Sequence, residues 1–285
     1  MSIILEAPSN TGRTATRRLR RLPPLTWAAI AVIAVAVLGA LFAPLLAPHS
    51  PTGGDILDQS LPMSASHPLG TDAAGNDILS RLLHGARPSL LGPLFVVLLS
   101  LLAGVPLALA SAWKGGWVDR IIGRGLDLVF CFPSVLVAAL IVVVAGRGLT
   151  AAVAAIAIAY IPWTARITRT AALRERSKPY IVACYVQGQS ALSIALRHLL
   201  PNLARMIIAQ ATISFGFALV DLAMLSFVGL GIDPPAPDWG VMVGDTTSIV
   251  QGNYNGPLAA GMCIVLLGLA FTFLGNTISD PDKED

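Results

Sequence analysis

The sequence predicts an all-α integral membrane protein with six membrane-spanning helices. Three observations carry that expectation. The chain of 285 residues is 55% hydrophobic and only 12% charged, whereas soluble domains carry about 25% charged residues. Its mean hydropathy is +0.72, which points to lipid as the main solvent. Finally, the Lys and Arg residues are distributed unevenly among the segments that separate the apolar runs.

A helix needs about 20 apolar residues to cross ~30 Å of hydrocarbon. Six segments meet this need: 25–46, 89–113, 126–145, 149–165, 206–230 and 256–278. The fourth is short and contains Pro162. The first follows a basic run, Arg17-Arg18-Leu19-Arg20-Arg21. It is longer than the 7–15 apolar residues of a signal peptide, and Pro48 follows Ala47 where cleavage would be needed. It reads as a retained helix.

Cytoplasmic loops are enriched in Lys and Arg. With the N-terminus inside, 16 of the 19 basic residues fall inside, and only Arg81, Arg87 and Arg147 fall outside. The C-terminus is then also cytoplasmic. The division that follows is a basic tail (1–24), a first helix with its extracytoplasmic loop (25–88), a five-helix core (89–279) and a short tail (280–285). The inner loop 166–205 is strongly basic, with short helices expected over 180–190 and 191–200 and a break at Pro201. The basic residues sit between apolar spans and not on one folded face, which argues against a nucleic-acid partner.

Catalytic signatures are missing. The chain has no G-x-x-x-x-G-K-[S/T] loop, no H-E-x-x-H and no G-x-S-x-G. Cys131, Cys184 and Cys263 are far apart and read as small hydrophobes. His49, His67 and His84 are widely spaced along the outer loop or its edge, an argument against a metal site. No metal ligand is therefore assigned.

Asp221 is the charge within a span. A carboxylate at that depth costs about 2.5–3.5 kcal/mol on insertion scales, so it must face protein or water. It either lines a solute pathway or makes a structural hydrogen bond to a neighbouring helix. Asp127, near the start of the third span, reads as interfacial. Few other buried ionisable groups accompany Asp221, so a proton-driven carrier is poorly supported.

Three stretches resemble one known family. His67-Pro68-Leu69-Gly70-Thr71-Asp72, continuing through Asn76 and Asp77 to Ser80-Arg81, resembles the HPLGTD segment of DppC/OppC-type permeases of peptide/nickel ABC importers. Arg197-His198-Leu199-Leu200-Pro201-Asn202 is similar to the end of their cytoplasmic EAA loop. Leu225 to Gly240, with Gly229, Gly231, Pro234, Pro235, Pro237, Trp239 and Gly240, resembles their LSFxGLG-x-x-PP-x-P-x-WG segment.

The resemblance implies a type I ABC-importer permease (MetI-like) fold. It implies that Ala183, Cys184 and Gly188 belong to a coupling helix that docks on an ATPase, with Arg197 and Pro201 closing the loop. Val182 stands where the motif has Glu. Pro234, Pro235, Trp239 and Gly240 would form a stiff outer loop that seals the pathway or meets a solute-binding protein; Trp239 alone also reads as an interfacial anchor. Further implied are a second, DppB/OppB-like permease subunit and two ABC ATPase subunits (DppD/DppF-like, or one fused). An extracytoplasmic solute-binding protein would complete the system. ATP and Mg would sit on the ATPases, and this chain would be a non-catalytic bacterial inner-membrane subunit without a cofactor of its own. Expected cargoes are di- or oligopeptides, with nickel or another small solute as the alternative. A secondary carrier or a channel would need no ATPase, and a membrane enzyme would need a catalytic cluster that the chain lacks.

Overall fold

Apolar stretches capped by polar turns fold as helices, because a backbone in lipid must satisfy its own hydrogen bonds. The computed structural model describes residues 23–279. The basic run at 13–21 and Lys283 lie outside the described residues. Every regular element among the described residues is helical. In order these are α1 (Pro24–Leu41), α2 (Ala43–Leu46), a 3-10 turn (Ile56–Asp58) and α3 (Ile78–Lys114). Then come α4 (Gly116–Phe130), α5 (Ser134–Ala145), α6 (Leu149–Arg176), α7 (Pro179–Val186) and α8 (Ala191–Ile194). A π-turn (Ala195–Leu199) joins α8 to α9 (Leu200–Phe227), and α10 (Trp239–Val243), α11 (Thr246–Val250) and α12 (Asn255–Ser279) complete the order.

α1, α3, α6, α9 with its lead-in, and α12 are each long and apolar enough to cross a membrane, and the bent pair α4–α5 makes a sixth candidate. Successive spans alternate in direction. α7 and α8 therefore lie at one end of the bundle and α10 and α11 at the other, called here the α7 end and the α10 end.

Four expectations need correction. The second span starts at Ile78, not near Ser89, because Asp77 caps it by accepting the Ser80 N–H at 2.8 Å. Its polar first turns are satisfied by protein: Arg81 pairs with Asp72 at 3.4 Å, and Arg87 Nε donates to the Ala40 carbonyl at 2.7 Å. The fourth span runs through Pro162 and on to Arg176. The third is not one straight helix: α4 and α5 meet at 85°. Phe132-Pro133 lies at that break, and a proline disfavours helix in the residue before it. At 1.5 Å per residue α5 alone is about 18 Å long, short of the hydrocarbon thickness.

The fourth correction concerns Pro201, which does not break the chain. It sits in the first turn of α9, directly after the π-turn, where the Leu200 N–H reaches back to the Ala195 carbonyl. A widened turn accommodates a ring that would otherwise meet the carbonyl four residues earlier.

Three apolar clusters hold the bundle. Val96, Val142, Ile156, Ala218 and Leu225 join α3, α5, α6 and α9. Ile78, Leu219, Trp239, Met242 and Leu267 join α3, α9, α10 and α12. Ala112, Ala172, Leu199 and Leu203 close the α7 end. α9 and α12 pack closely through small residues: a Cβ on Gly275 would lie 2.5 Å from Ile213 Cγ1 and 2.9 Å from the Ala209 carbonyl oxygen. Small residues permit such backbone approach in membranes, where helices gain little from excluding lipid.

Candidate functional site

The α7 end is built around a short helix with an exposed apolar face. Pro179 starts α7, where its missing N–H costs nothing. The helix stops at Gly188, whose φ of +78° suits a residue without Cβ. The Gly188 N–H donates to the Tyr185 carbonyl at 3.0 Å and the Gln189 N–H to the Cys184 carbonyl at 3.2 Å. This paired closure is a Schellman stop. Ile181 is buried beneath the helix, while Val182, Tyr185 and Val186 are exposed. Ala183 is also exposed and Cys184 half-buried. Val182, in the motif's Glu position, lies on that free apolar surface.

Polar contacts fix α7 to the bundle. The Tyr180 hydroxyl donates to Glu175 Oε1 at 2.7 Å and accepts from Asn202 Nδ2 at 2.6 Å. It therefore links the end of α6 to the start of α9. Lys178 Nζ lies 2.7 Å from Glu175 Oε2, and that carboxylate raises the lysine's pKa. Partial burial, then the bond to Glu175, raises that of Tyr180. Arg176 Nη1 donates to the Ala112 carbonyl at 2.6 Å and lies over the Trp113 ring at 5.1 Å. Arg169 pairs with Asp119 of α4 at 2.6 Å. Arg197 lies in the π-turn and Pro201 just after it, both exposed.

These partners were not singled out from sequence. One signal was available: Glu175 is the sole acidic residue between 166 and 205. A lone carboxylate in so basic a stretch has cations to hold in place.

Asp221, in the last third of α9, accepts from the Tyr160 hydroxyl at 3.0 Å and from Ser134 Oγ at 3.3 Å. It ties α9 to α6 and to the first residue of α5. The side chain is half-buried. Hydrogen-bonding to neighbouring helices is thus present, and the group keeps partial access to space between them.

At the α10 end the four motif residues separate. Pro234 and Pro235 are exposed, whereas Trp239 and Gly240 are buried. Pro234 and Pro235 border a cavity of about 320 Å³ whose other walls include Asp72, Arg81 and Asp245. Trp239 is 3% exposed and its Nε1–H donates to the Leu82 carbonyl at 2.9 Å. That burial overturns its reading as an interfacial anchor: the indole is an internal strut between α3 and α10. A Cβ on Gly240 would come within 2.5 Å of the Ala223 carbonyl oxygen. Asp238 caps α10, accepting from the Gly240 N–H at 3.0 Å and from Ser89 Oγ at 3.0 Å. Burial raises the Asp238 pKa, against the opposing pull of the Ser226 and Ser89 hydroxyls and the Val241 and Gly240 N–H groups.

The segment His67–Arg81 packs as a series of turns against the start of α12. Asp72 Oδ1 accepts from the Ala74 and Asn76 N–H groups, at 2.9 and 2.8 Å. Asn253 Nδ2 donates to the Thr71 carbonyl at 2.6 Å and Asn255 Nδ2 to the Leu69 carbonyl at 3.2 Å. The wide sequence spacing of the histidines does not persist in space: the His49 and His67 rings stack with centroids 4.5 Å apart.

A bundle of five or six candidate spans with a short apolar helix projecting at one end defines a polytopic membrane protein. The chain belongs to the family of binding-protein-dependent transport system inner membrane components, whose model matches residues 88–285. Residues 11–68 match the N-terminal transmembrane domain of oligopeptide transport permease C. It is 36% identical over 268 residues to the dipeptide transport system permease protein DppC of Alkalihalophilus pseudofirmus, covering 94% of this chain and 88% of that one. It is 37% identical to the di/tripeptide permease DppC of Pseudomonas aeruginosa, covering 86% and 82%. To the glutathione transport system permease GsiD of Pectobacterium atrosepticum it is 36% identical, covering 76% and 72%. The fold also matches a chain of the MetNI methionine ABC transporter solved in inward-facing conformations, with a TM-score of 0.59, 21% identity, and 70% and 94% coverage. The protein is a multi-pass inner-membrane permease with the MetI-like fold.

Proposed function

We propose that this chain is one permease subunit of an ATP-driven importer of di- or oligopeptides, and that α7 is its coupling helix. The observation that carries the reading is α7 itself: an exposed apolar helix fixed through Tyr180 to both α6 and α9. A helix that projects Val182, Tyr185 and Val186 from the bundle gains by burying them against a partner. The ATPase subunits would supply that partner, and this face would lie in the cytoplasm, as the basic residues around it require.

ATP-driven closure of the ATPases would move α7 as a lever. Glu175 and Asn202 would pass the motion to α6 and α9 through Tyr180. α9 carries Asp221, so the same displacement would reach the Tyr160–Asp221–Ser134 contact inside the bundle, where the pathway shared with a second permease subunit would open alternately to each side. Pro234 and Pro235 would border its external mouth, facing a solute-binding protein. The chain's own task is mechanical, and ATP and Mg would be held by the partners. Peptides are the favoured cargo because the similar DppC proteins are named for dipeptide transport.

The test is a mild-detergent pull-down of the tagged chain from its native membrane, with ATPase assay of the eluate. Recovery of a second permease and ATPase subunits, with activity lost on disruption of 183–188, supports the proposal. A chain recovered alone that moves solute without ATP contradicts it in favour of a carrier or channel.

A further inference from the structure

At the α10 end, three potential metal ligands from distant points of the sequence converge. His49, His67 and Asp77 each offer one donor atom, and the three atoms lie within 4.8 Å of one another. His67 Nδ1 is 3.0 Å and His49 Nδ1 4.0 Å from Asp77 Oδ1. In a tetrahedral zinc site with bonds of about 2.05 Å, neighbouring ligand atoms are separated by about 3.3 Å. The observed separations bracket that value. Only His49 would need to move inward, and its side chain is 44% exposed and free of the core.

The surroundings resemble a prepared site more than a chance meeting. The Asp77 side chain has no exposed surface. Its second oxygen, Oδ2, accepts from the Ser80 N–H at 2.8 Å and from Ser80 Oγ at 2.7 Å. Those bonds aim Oδ1 at the two imidazoles, the outer-shell support that orients metal-binding carboxylates. The same Ser80 Oγ accepts the His49 N–H at 3.1 Å, which brings the His49 backbone to the cluster. The two rings stack with an interplanar angle of 26°, and the Nδ1 atom of each approaches the same oxygen, Asp77 Oδ1.

We propose that His49, His67 and Asp77 bind one divalent transition-metal ion of the zinc and nickel class, which ties the segment after α2 to the first turn of α3. Two neutral imidazoles and one carboxylate suit borderline cations and not calcium or magnesium, which prefer all-oxygen sites. Ligation through Nδ1 requires the His67 tautomer with its proton on Nε2, and three protein ligands leave open positions for water. It is a resident clasp on the outer loop, independent of which solute is carried and of the coupling role of α7.

The whole complex, purified through a non-histidine tag and stripped with EDTA, is titrated with Zn²⁺ in competition with a chromophoric chelator. Co²⁺ serves as a visible-absorption probe of the same site. The parent is expected to take up one more equivalent than the His49→Gln variant, with tetrahedral Co²⁺ bands that the variant lacks. Ser80→Ala, which frees Oδ2, is expected to weaken binding about 10- to 100-fold. His84→Gln, whose ring meets only the Ser80 carbonyl, should match the parent. His49 is half-exposed and belongs to none of the three apolar clusters; equal zinc uptake and identical Co²⁺ spectra in parent and His49→Gln overturn the proposal.

Discussion

The Tyr180 hydroxyl donates a 2.7 Å hydrogen bond to Glu175, joining the exposed helix α7 to the end of a 28-residue helix that runs through the bundle. Because Asn202 donates to the same hydroxyl, one side chain connects α7 to two spans. Tyr180→Phe removes both bonds and keeps the ring. Hydrogen bonds to charged groups contribute about 1.5–3 kcal/mol, and the half-exposed setting favours the lower end. Assembly should survive, while transport per ATP hydrolysed should fall several-fold in reconstituted complex. Unchanged coupling would remove Tyr180 from the transmission route.

Asp221 separates structure from pathway. Asp221→Asn keeps an oxygen for the Tyr160 and Ser134 hydroxyls, so the complex should assemble normally and its transport should drop. Asp221→Leu leaves the Tyr160 hydroxyl without a partner, at a cost of about 1–3 kcal/mol. Its thermal midpoint in detergent should be lower than that of the Asn variant. Normal uptake by the Asn variant would confine Asp221 to a structural role.

Trp239 works from inside the α10 end. Truncating a buried aromatic costs about 3–5 kcal/mol, so Trp239→Ala should sharply lower the yield of folded protein. Trp239→Phe retains the ring contacts but leaves the Leu82 carbonyl without its donor, and should lose about 1 kcal/mol. Gly240→Ala should resemble Trp239→Ala, because its Cβ meets the Ala223 carbonyl oxygen. Fluorescence-detected size-exclusion after graded heating ranks the three.

The buried Asp238 carboxyl makes the α10 end sensitive to pH. Its folded-state pKa is raised above the ordinary value of 3.8, so the folded state holds its proton more tightly than the unfolded chain. The stability contributed by that proton is fully present below the ordinary value and is lost as pH rises through the folded pKa. The melting temperature of the parent, relative to Asp238→Asn, should therefore rise on acidification through the window between the folded-state pKa and the ordinary value of 3.8. A difference that stays constant from neutral pH down to the ordinary value would contradict the assignment.

The spans were legible in the sequence because lipid demands long apolar runs. Their ends were not legible wherever a polar residue had a protein partner. Arg81 and Arg87 looked like loop residues, yet Asp72 and the Ala40 carbonyl hold them within α3. Arg169 likewise extends α6 by pairing with Asp119. Hydropathy carries no information about such pairings. Prolines mislead for a similar reason: the π-turn absorbs Pro201, where a break was expected, while Pro133 lies at the bend of a run that was expected to be one span. The meeting of His49, His67 and Asp77 depends on the path of residues 47–77, which contains no periodic pattern from which to infer it.

ATP-driven uptake of a labelled dipeptide into proteoliposomes is the decisive measurement. The vesicles hold the intact complex with either the parent chain or a chain carrying Val186→Glu, which places a charge on the exposed face of α7. Uptake that requires ATP and falls at least tenfold with Val186→Glu, while the chain still folds and inserts, is the expected result. Uptake that proceeds without ATP, or that is indifferent to this substitution, contradicts the assignment of α7 as the coupling helix of an ATP-driven importer.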